Sequence, residues 1–300
     1  MNYDWTICIL CVGEILWDRF ADGRHLGGAA FNVAAHARRA GADAVFVSAV
    51  GDDEAGREAL VRARGSGVDT RYVRTSQTMP TGTVDVQLAE GQPDYVINRP
   101  AAYDFPELSQ LDLREIGHHP PQTVYFGTLA QTSEQVRSTT RTLLDAFPEA
   151  ARFYDVNLRK DCHSMELIEE LLTDCTIAKL NHEEQTTVGK FFGLRSAEFV
   201  TFAEDLAERF DLRTVCVTRG ARGCALWREG ESVEVPGIDV QVSDAVGAGD
   251  AFSAMLMTQL NKPDVSLHQA GVLANRLGTL VATRAGATPA WTWDELLSEF

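Results

Sequence analysis

The stretch Asp244-Ala245-Val246-Gly247-Ala248-Gly249-Asp250-Ala251-Phe252 runs small residues straight into an apolar helix. Free backbone N–H groups collect at such a helix start. With no bulky side chains at Gly247, Ala248 and Gly249, a phosphate can approach those donors, and the helix dipole favours its charge. Asp250 falls in the first turn beside that anion hole, where the dipole is expected to lower its pKa and keep it ionised. An ionised carboxylate beside a bound phosphoryl group can take the proton of an attacking hydroxyl. The same residues also read as a glycine turn followed by an aspartate that favours a helix N-terminus, so the motif alone leaves both readings open.

A second cluster, Leu26-Gly27-Gly28-Ala29-Ala30-Phe31-Asn32, opens a helix expected over Val33 to Ala40 and ended by Gly41. Gly27 and Gly28 permit close backbone approach, and Asn32 offers a polyol both a donor and an acceptor. Asp18, preceded by Ile15, Leu16 and Trp17, reads either as a turn residue or as a bidentate acceptor for sugar hydroxyls.

Other signatures fail on their spacing. His182-Glu183-Glu184-Gln185-Thr186 has Thr where a zincin needs its second histidine, and Gly189-Lys190 lacks the earlier glycine of a P-loop. Gly247-Ala248-Gly249 has Phe252 where a dinucleotide fingerprint needs a small residue, and no G-x-S-x-G elbow occurs. Cys8 and Cys11 match C-x-x-C, but an odd offset in a strand sends the side chains to opposite faces, so the six cysteines read as reduced, packed thiols.

These residues must be positioned by a chain of 300 residues, 45% hydrophobic and 23% charged, long enough for one large α/β domain. Lys and Arg total 27 against 43 Asp and Glu, a formal net charge of −16 that disfavours nucleic-acid and membrane partners. No apolar run reaches the roughly 20 residues of a membrane span. Asp4 stands where a signal peptide needs positive charge, so the N-terminus reads as the first strand of a cytoplasmic protein.

Apolar runs at Thr6 to Val12, Ala44 to Val50, Thr123 to Phe126, Phe153 to Val156, Thr176 to Leu180 and Thr214 to Thr218 fit buried parallel strands. Amphipathic helices lie between them, the clearest over Ala197 to Phe210. The alternation predicts a doubly wound, mostly parallel sheet flanked by helices. Thr81 to Asn98 breaks the rhythm with alternating polar and apolar residues around a turn at Glu90-Gly91-Gln92-Pro93, which predicts a small antiparallel appendage. Glu14 to Leu26, with a turn signal at Asp22-Gly23, supplies its other strands. A hairpin is expected over Ala225 to Val235, then helices near Ala251 to Leu260, Leu267 to Thr283 and Thr292 to Phe300.

Both glycine clusters together resemble the two signatures of the ribokinase family, the PfkB-type carbohydrate kinases. Gly27 to Asp53 is similar to the N-terminal one and Asp244 to Ala254 to the C-terminal one, with its Gly-Ala-Gly-Asp core intact. Asn181-His182-Glu183-Glu184 resembles the family's Asn-x-x-Glu element, and Thr218-Arg219-Gly220-Ala221-Arg222-Gly223 its nucleotide loop. Asn275 matches a helix that borders adenine, and Asp155-Val156-Asn157-Leu158-Arg159 resembles a segment of bacterial fructokinase-type members.

The resemblance implies a ribokinase-like fold filling residues 1–300, with residues 14–26 and 81–98 as a β lid over the sugar. It implies an ATP-dependent kinase acting on a primary hydroxyl, with fructose the first choice. Ribose, 2-keto-3-deoxygluconate or a nucleoside are the rivals, as is a non-catalytic sugar- or nucleotide-binding homologue. Asp250 would be the base, and Gly247, Ala248 and Gly249 the anion hole. Asp18, Gly28, Asn32 and Arg159 would grip the sugar, with Arg99 either meeting it or lying solvated at a strand end. Asn181, Glu184, Thr218, Gly220, Gly223 and Asn275 would serve the nucleotide, with Mg2+ organised indirectly through Glu184. Ala245 and Val246 depart from the family pattern and leave Asp244 as the side chain for a monovalent cation, with potassium activation an open expectation. A homodimer through the lid is expected.

Overall fold

The computed structural model describes residues 7–21, 23–89, 92–195 and 197–298. Thr6, Asp22, the Glu90-Gly91 part of the predicted turn and the last two residues of the predicted C-terminal helix lie outside the described residues.

The first strands are β1 (Cys8–Val12), β2 (Leu16–Phe20), β3 (Gly23–Gly27), β4 (Asp43–Gly51), β5 (Val73–Ser76), β6 (Gly82–Ala89) and β7 (Gln92–Asn98), of which β1, β4 and β6 are rich in β-branched residues. They continue as β8 (Thr123–Gly127), β9 (Ala151–Asp155), β10 (Ile177–Asn181), β11 (Thr214–Thr218), β12 (Cys224–Arg228) and β13 (Glu231–Val235). The helices are α1 (Ala29–Arg39), α2 (Glu54–Gly65), α3 (Gln110–Ile116), α4 (Thr128–Gln131), α5 (Glu134–Ala146) and α6 (Met165–Asp174). After them come α7 (His182–Phe192), α8 (Phe199–Phe210), α9 (Ala248–Leu260), α10 (Leu267–Ala282) and α11 (Trp293–Ser298).

The large sheet runs β13-β12-β11-β10-β9-β8-β1-β4-β5, parallel from β11 to β5, with the β12–β13 hairpin added antiparallel at one edge. Its central strands are covered on both faces, and successive side chains divide between two cores. Ile9, Cys11, Tyr125, Phe153 and Cys216 join the core under α1, α9 and α10. Leu10, Val12, Phe126, Tyr154 and Val217 join the one under α5, α6 and α8. All six cysteines are free thiols, Cys162 being the one not buried.

Strand order reverses at β1, which lies between β4 and β8. A crevice opens at such a reversal beyond the C-terminal ends of the strands, where α/β sheets bind ligands. The predicted appendage is a second sheet, β3-β2-β6-β7, antiparallel except for the β2–β6 pair. It is tied to the main body through Trp17, which is buried, donates its indole N–H to the Ala55 carbonyl at 3.0 Å, and lies under the guanidinium groups of Arg24 and Arg62. Among the described residues, no helix is long and apolar enough to cross a membrane.

The sequence reading started α1 and α9 too late. Both begin earlier, at Ala29 and Ala248, because glycines just before them adopt positive φ and turn the chain directly into the helix.

Candidate active site

A cavity of about 540 Å³ lies between the C-terminal ends of β1, β9 and β10, the small sheet and the start of α9. Asp18, Gly28, Asn32, Arg159, Asp244, Gly247, Gly249 and Asp250 all line it, so residues from both ends of the chain converge there.

Gly247 caps α9 at φ 78°, and a Cβ there would lie 2.3 Å from the Ala287 carbonyl oxygen, so only glycine fits the turn. No side chain caps that first turn; Ala248 N donates to the Ala245 carbonyl at 3.3 Å, and the N–H groups on either side of it are left as donors at the cavity wall. Asp244 holds the approach to the turn, accepting from Val246 N at 3.0 Å and Gly286 N at 3.1 Å.

Asp250 is buried, and its Oδ2 accepts from Asn32 Nδ2 at 2.8 Å. Burial pushes its carboxyl above the usual range and the nearby Asp155 adds to this, while Asn32, Lys179 and Arg159 pull the other way. The expected lowering by the helix dipole is therefore overturned in direction, because desolvation of a fully enclosed carboxylate outweighs it. Asn32 Oδ1 is buried without a hydrogen-bond partner among the described residues. An acceptor left in this way is open to a donor entering the cavity.

Beside them, Glu14 is buried and its Oε1 accepts from Ala29 N at 2.9 Å, capping α1 from another loop. Gly28 allows this, since at φ 103° a Cβ would lie 2.4 Å from the Glu14 carbonyl oxygen. Asp18, on β2, is pushed up to about 6 by burial, with Asp250 also raising it and Arg159 and His25 offsetting part of the effect.

The floor of the site is a buried ion pair. Lys179 Nζ lies 3.0 and 3.2 Å from the two carboxylate oxygens of Asp155, and Ser253 Oγ donates to Asp155 Oδ2 at 2.9 Å. Burial alone would lower the Lys179 pKa, but Asp155 and Glu184 turn the net shift upward and keep the ammonium charged.

Asn181 and Glu184 form a capping box at the start of α7. Glu184 is buried, and its two oxygens accept from Asn181 N and Leu158 N, each at 2.8 Å. Thr218 ends β11, and its hydroxyl donates to the Leu180 carbonyl at 3.4 Å. Gly220 and Gly223 form the turn that follows, and Asn275 on α10 donates to the Pro236 carbonyl at 3.1 Å. Neither these residues nor Ala248 line the cavity.

Arg99 is not brought to the cavity. Its guanidinium pairs with Asp104 and donates to Thr132 Oγ1 and to the Leu129 carbonyl. Arg99→Ala is therefore expected to leave the sugar KM within about twofold and to cost about 1 to 3 kcal/mol of stability, read by kinetics and thermal denaturation together.

The sequence reading passed over Lys179, Ser253 and the carboxylate of Glu14. Lys179 carried a signal, being the one charge in the otherwise apolar run Thr176 to Leu180. Buried charges of this kind are almost always paired. Glu14 carried one by its place, just beyond the C-terminal end of β1.

This geometry agrees with what the chain is similar to. The family profile "pfkB family carbohydrate kinase" matches residues 18–294. A fructokinase of Escherichia coli is 30% identical over 287 residues, covering 90% of this chain and 91% of its own. An uncharacterized sugar kinase of Pyrococcus horikoshii, solved in complex with ATP, superposes with a TM-score of 0.80 at 25% identity, covering 97% of each chain. A fructokinase of Vibrio cholerae O395, in its fructose, ADP and calcium ion bound form, shares the fold with a TM-score of 0.82 at 24% identity, over 98% of this chain and 99% of its own. The chain belongs to the pfkB family of carbohydrate kinases and is an ATP-dependent sugar kinase.

Proposed function

We propose that this kinase transfers the γ-phosphoryl group of ATP to a primary hydroxyl of a neutral monosaccharide, with fructose the first acceptor. The observation that carries the reading is the pair Asn32–Asp250. A buried carboxylate stands at an uncapped helix start, held by an amide whose other atom still needs a partner.

Asp250 takes the proton of the attacking hydroxyl, and the N–H groups at Gly247 and Gly249 receive the charge on the transferred phosphoryl oxygens. Asn32, Asp18 and Arg159 orient the sugar, and the small sheet acts as a lid that excludes water over the single domain. Thr218, Gly220, Gly223 and Asn275 flank the nucleotide.

Magnesium fits here as an ion held mainly by the ATP phosphates, which is its usual mode of binding. Glu184 and Asn181 would organise its surroundings, since among the described residues no cluster of three or more metal ligands occurs. It would supply charge neutralisation on the phosphates. Asp244 and the carbonyls near it are the place for a potassium ion, if one activates the enzyme.

A neutral acceptor is favoured by charge. Glu14, Asp18, Asp244 and Asp250 line the cavity against Arg159 and Lys179, and Lys179 is already paired with Asp155. A sugar acid would meet carboxylates with little to offset them. Release of ADP from Mg·ATP across fructose, ribose, glucose, 2-keto-3-deoxygluconate and adenosine tests this. Fructose is expected to give the strongest signal, and a dominant response to the sugar acid or the nucleoside would refute it.

Asp18 gives the sugar step a pH dependence. With its carboxyl pushed up to about 6, the free enzyme loses a hydroxyl acceptor as the pH falls through that value. The sugar kcat/KM is expected to fall on the acid side of about pH 6, and Asp18→Asn to lose the part of that fall due to Asp18, leaving only the one that protonation of the base Asp250 causes, because kcat/KM reports free-enzyme ionisations. A wild-type profile flat between about pH 5 and about pH 7 contradicts the assignment.

A homodimer through the small sheet is part of the reading, with Val96 exposed on the face turned away from the cavity; Phe20 and Tyr95, also exposed, line the cavity itself. A monomer mass that does not change with concentration in light scattering would refute that part.

A further inference from the structure

Helix α1 turns one polar stripe toward the start of α9. Asn32, His36 and Arg39 follow at i, i+4 and i+7, so they share a face. Asn32 holds Asp250. His36 Nε2 lies 2.9 Å from the Ala287 carbonyl oxygen, and Arg39 Nη1 donates to the Pro289 carbonyl at 2.7 Å. Ala287 is the residue packed against Gly247, where a Cβ would come within 2.3 Å of its carbonyl oxygen. The group that His36 grips is thus the wall behind the first residue of the anion hole.

The tautomer of His36 follows from its partners. Trp291 Nε1 lies 3.2 Å from His36 Nδ1, and an indole can only donate. Nδ1 therefore accepts, and Nε2 carries the proton and donates to Ala287. The imidazole is fully buried, and burial brings its pKa down to about 4, with Arg39 lowering it further and the Ala287 carbonyl opposing. It stays neutral at physiological pH, which preserves one donor and one acceptor on opposite sides of the ring.

We propose that His36 is a positioning residue for phosphoryl transfer. Held in one tautomer by Trp291, it fixes the Ala287 carbonyl behind Gly247 and so sets the direction of the N–H donors at the start of α9. The inference rests on the reading of that helix start as the anion hole. A displacement of about 1 Å in such a group can cost about a hundredfold in rate, although His36 touches no substrate.

The test compares His36→Leu, which fills the space without hydrogen bonding, with His36→Gln, which retains a donor and an acceptor. His36→Leu is expected to lower kcat by about ten- to a hundredfold with the KM for ATP and for sugar within about twofold, and His36→Gln to recover most of the loss. Wild-type kcat in folded His36→Leu, or equal losses in both variants, overturns the proposal. Trp291→Phe removes the donor that fixes the tautomer and carries the test if His36→Leu does not fold. A severalfold lower kcat supports the proposal, and an unchanged kcat overturns it. Asp250→Asn is assayed alongside. Turnover surviving there removes Asp250 as the base and with it the reading that places phosphoryl transfer at the start of α9, whereas an inactive Asp250→Asn with full turnover in His36→Leu sinks only the positioning role.

Discussion

Replacing Asp250 with asparagine is expected to cut sugar-dependent turnover by about a thousandfold, within the range that general-base catalysis supplies. The amide is the same size, and its oxygen can still accept from Asn32 Nδ2, so the local geometry should persist. What it cannot do is take a proton from an attacking hydroxyl. The stability effect should run the opposite way. Burial already pushes the Asp250 carboxyl upward, which means that the charged form is disfavoured in the fold. A neutral side chain removes that cost, so the melting temperature should hold or rise while kcat collapses. Unchanged binding of ATP and sugar, measured by ligand-induced shifts in melting temperature, separates loss of chemistry from loss of the site. A variant that keeps its turnover would remove Asp250 from the mechanism.

Lys179→Met should have the largest effect on stability. The ammonium is buried between Asp155 and the start of α9, and the methionine side chain matches its stem but not its charge. Asp155, fully buried, would keep only the Ser253 hydroxyl among the partners described above. Breaking a buried pair from one side costs about 3 to 5 kcal/mol, read as a fall in melting temperature of roughly 10 °C. Lys179→Met combined with Asp155→Asn should recover part of the loss, because the uncompensated charge is gone. Additive losses in the double variant would show that the two groups do not act as a pair.

What could be read in the sequence follows the range of the interactions. The run of small residues into α9 is local, and so is the Asn181–Glu184 capping box, whose two members are three residues apart. Period-2 and helical patterns likewise announced the large sheet, the small sheet and the C-terminal hairpin. The bond from Asn32 to Asp250 spans 218 positions, and no spacing rule reaches that far. The direction of the Asp250 shift was misjudged for the same reason. The helix dipole is visible in the sequence, whereas the burial that outweighs it is made by distant segments. Arg99 offered only a charge near a strand end, and its commitment to Asp104 depends on how the chain turns between them. Lys179 was legible as an anomaly, a lone charge in an apolar strand, but its partner Asp155 lies on the neighbouring strand.

The most direct test of the account is the position of the phosphoryl group in the product made from fructose and Mg·ATP, read by proton–phosphorus correlation spectroscopy. The account predicts one equivalent of ADP and a single phosphate ester whose phosphorus couples to a pair of methylene protons, as transfer to a primary hydroxyl requires. ATP consumed to inorganic phosphate, an ester on a ring CH, or no sugar phosphate from an enzyme that turns over another class of acceptor would contradict it.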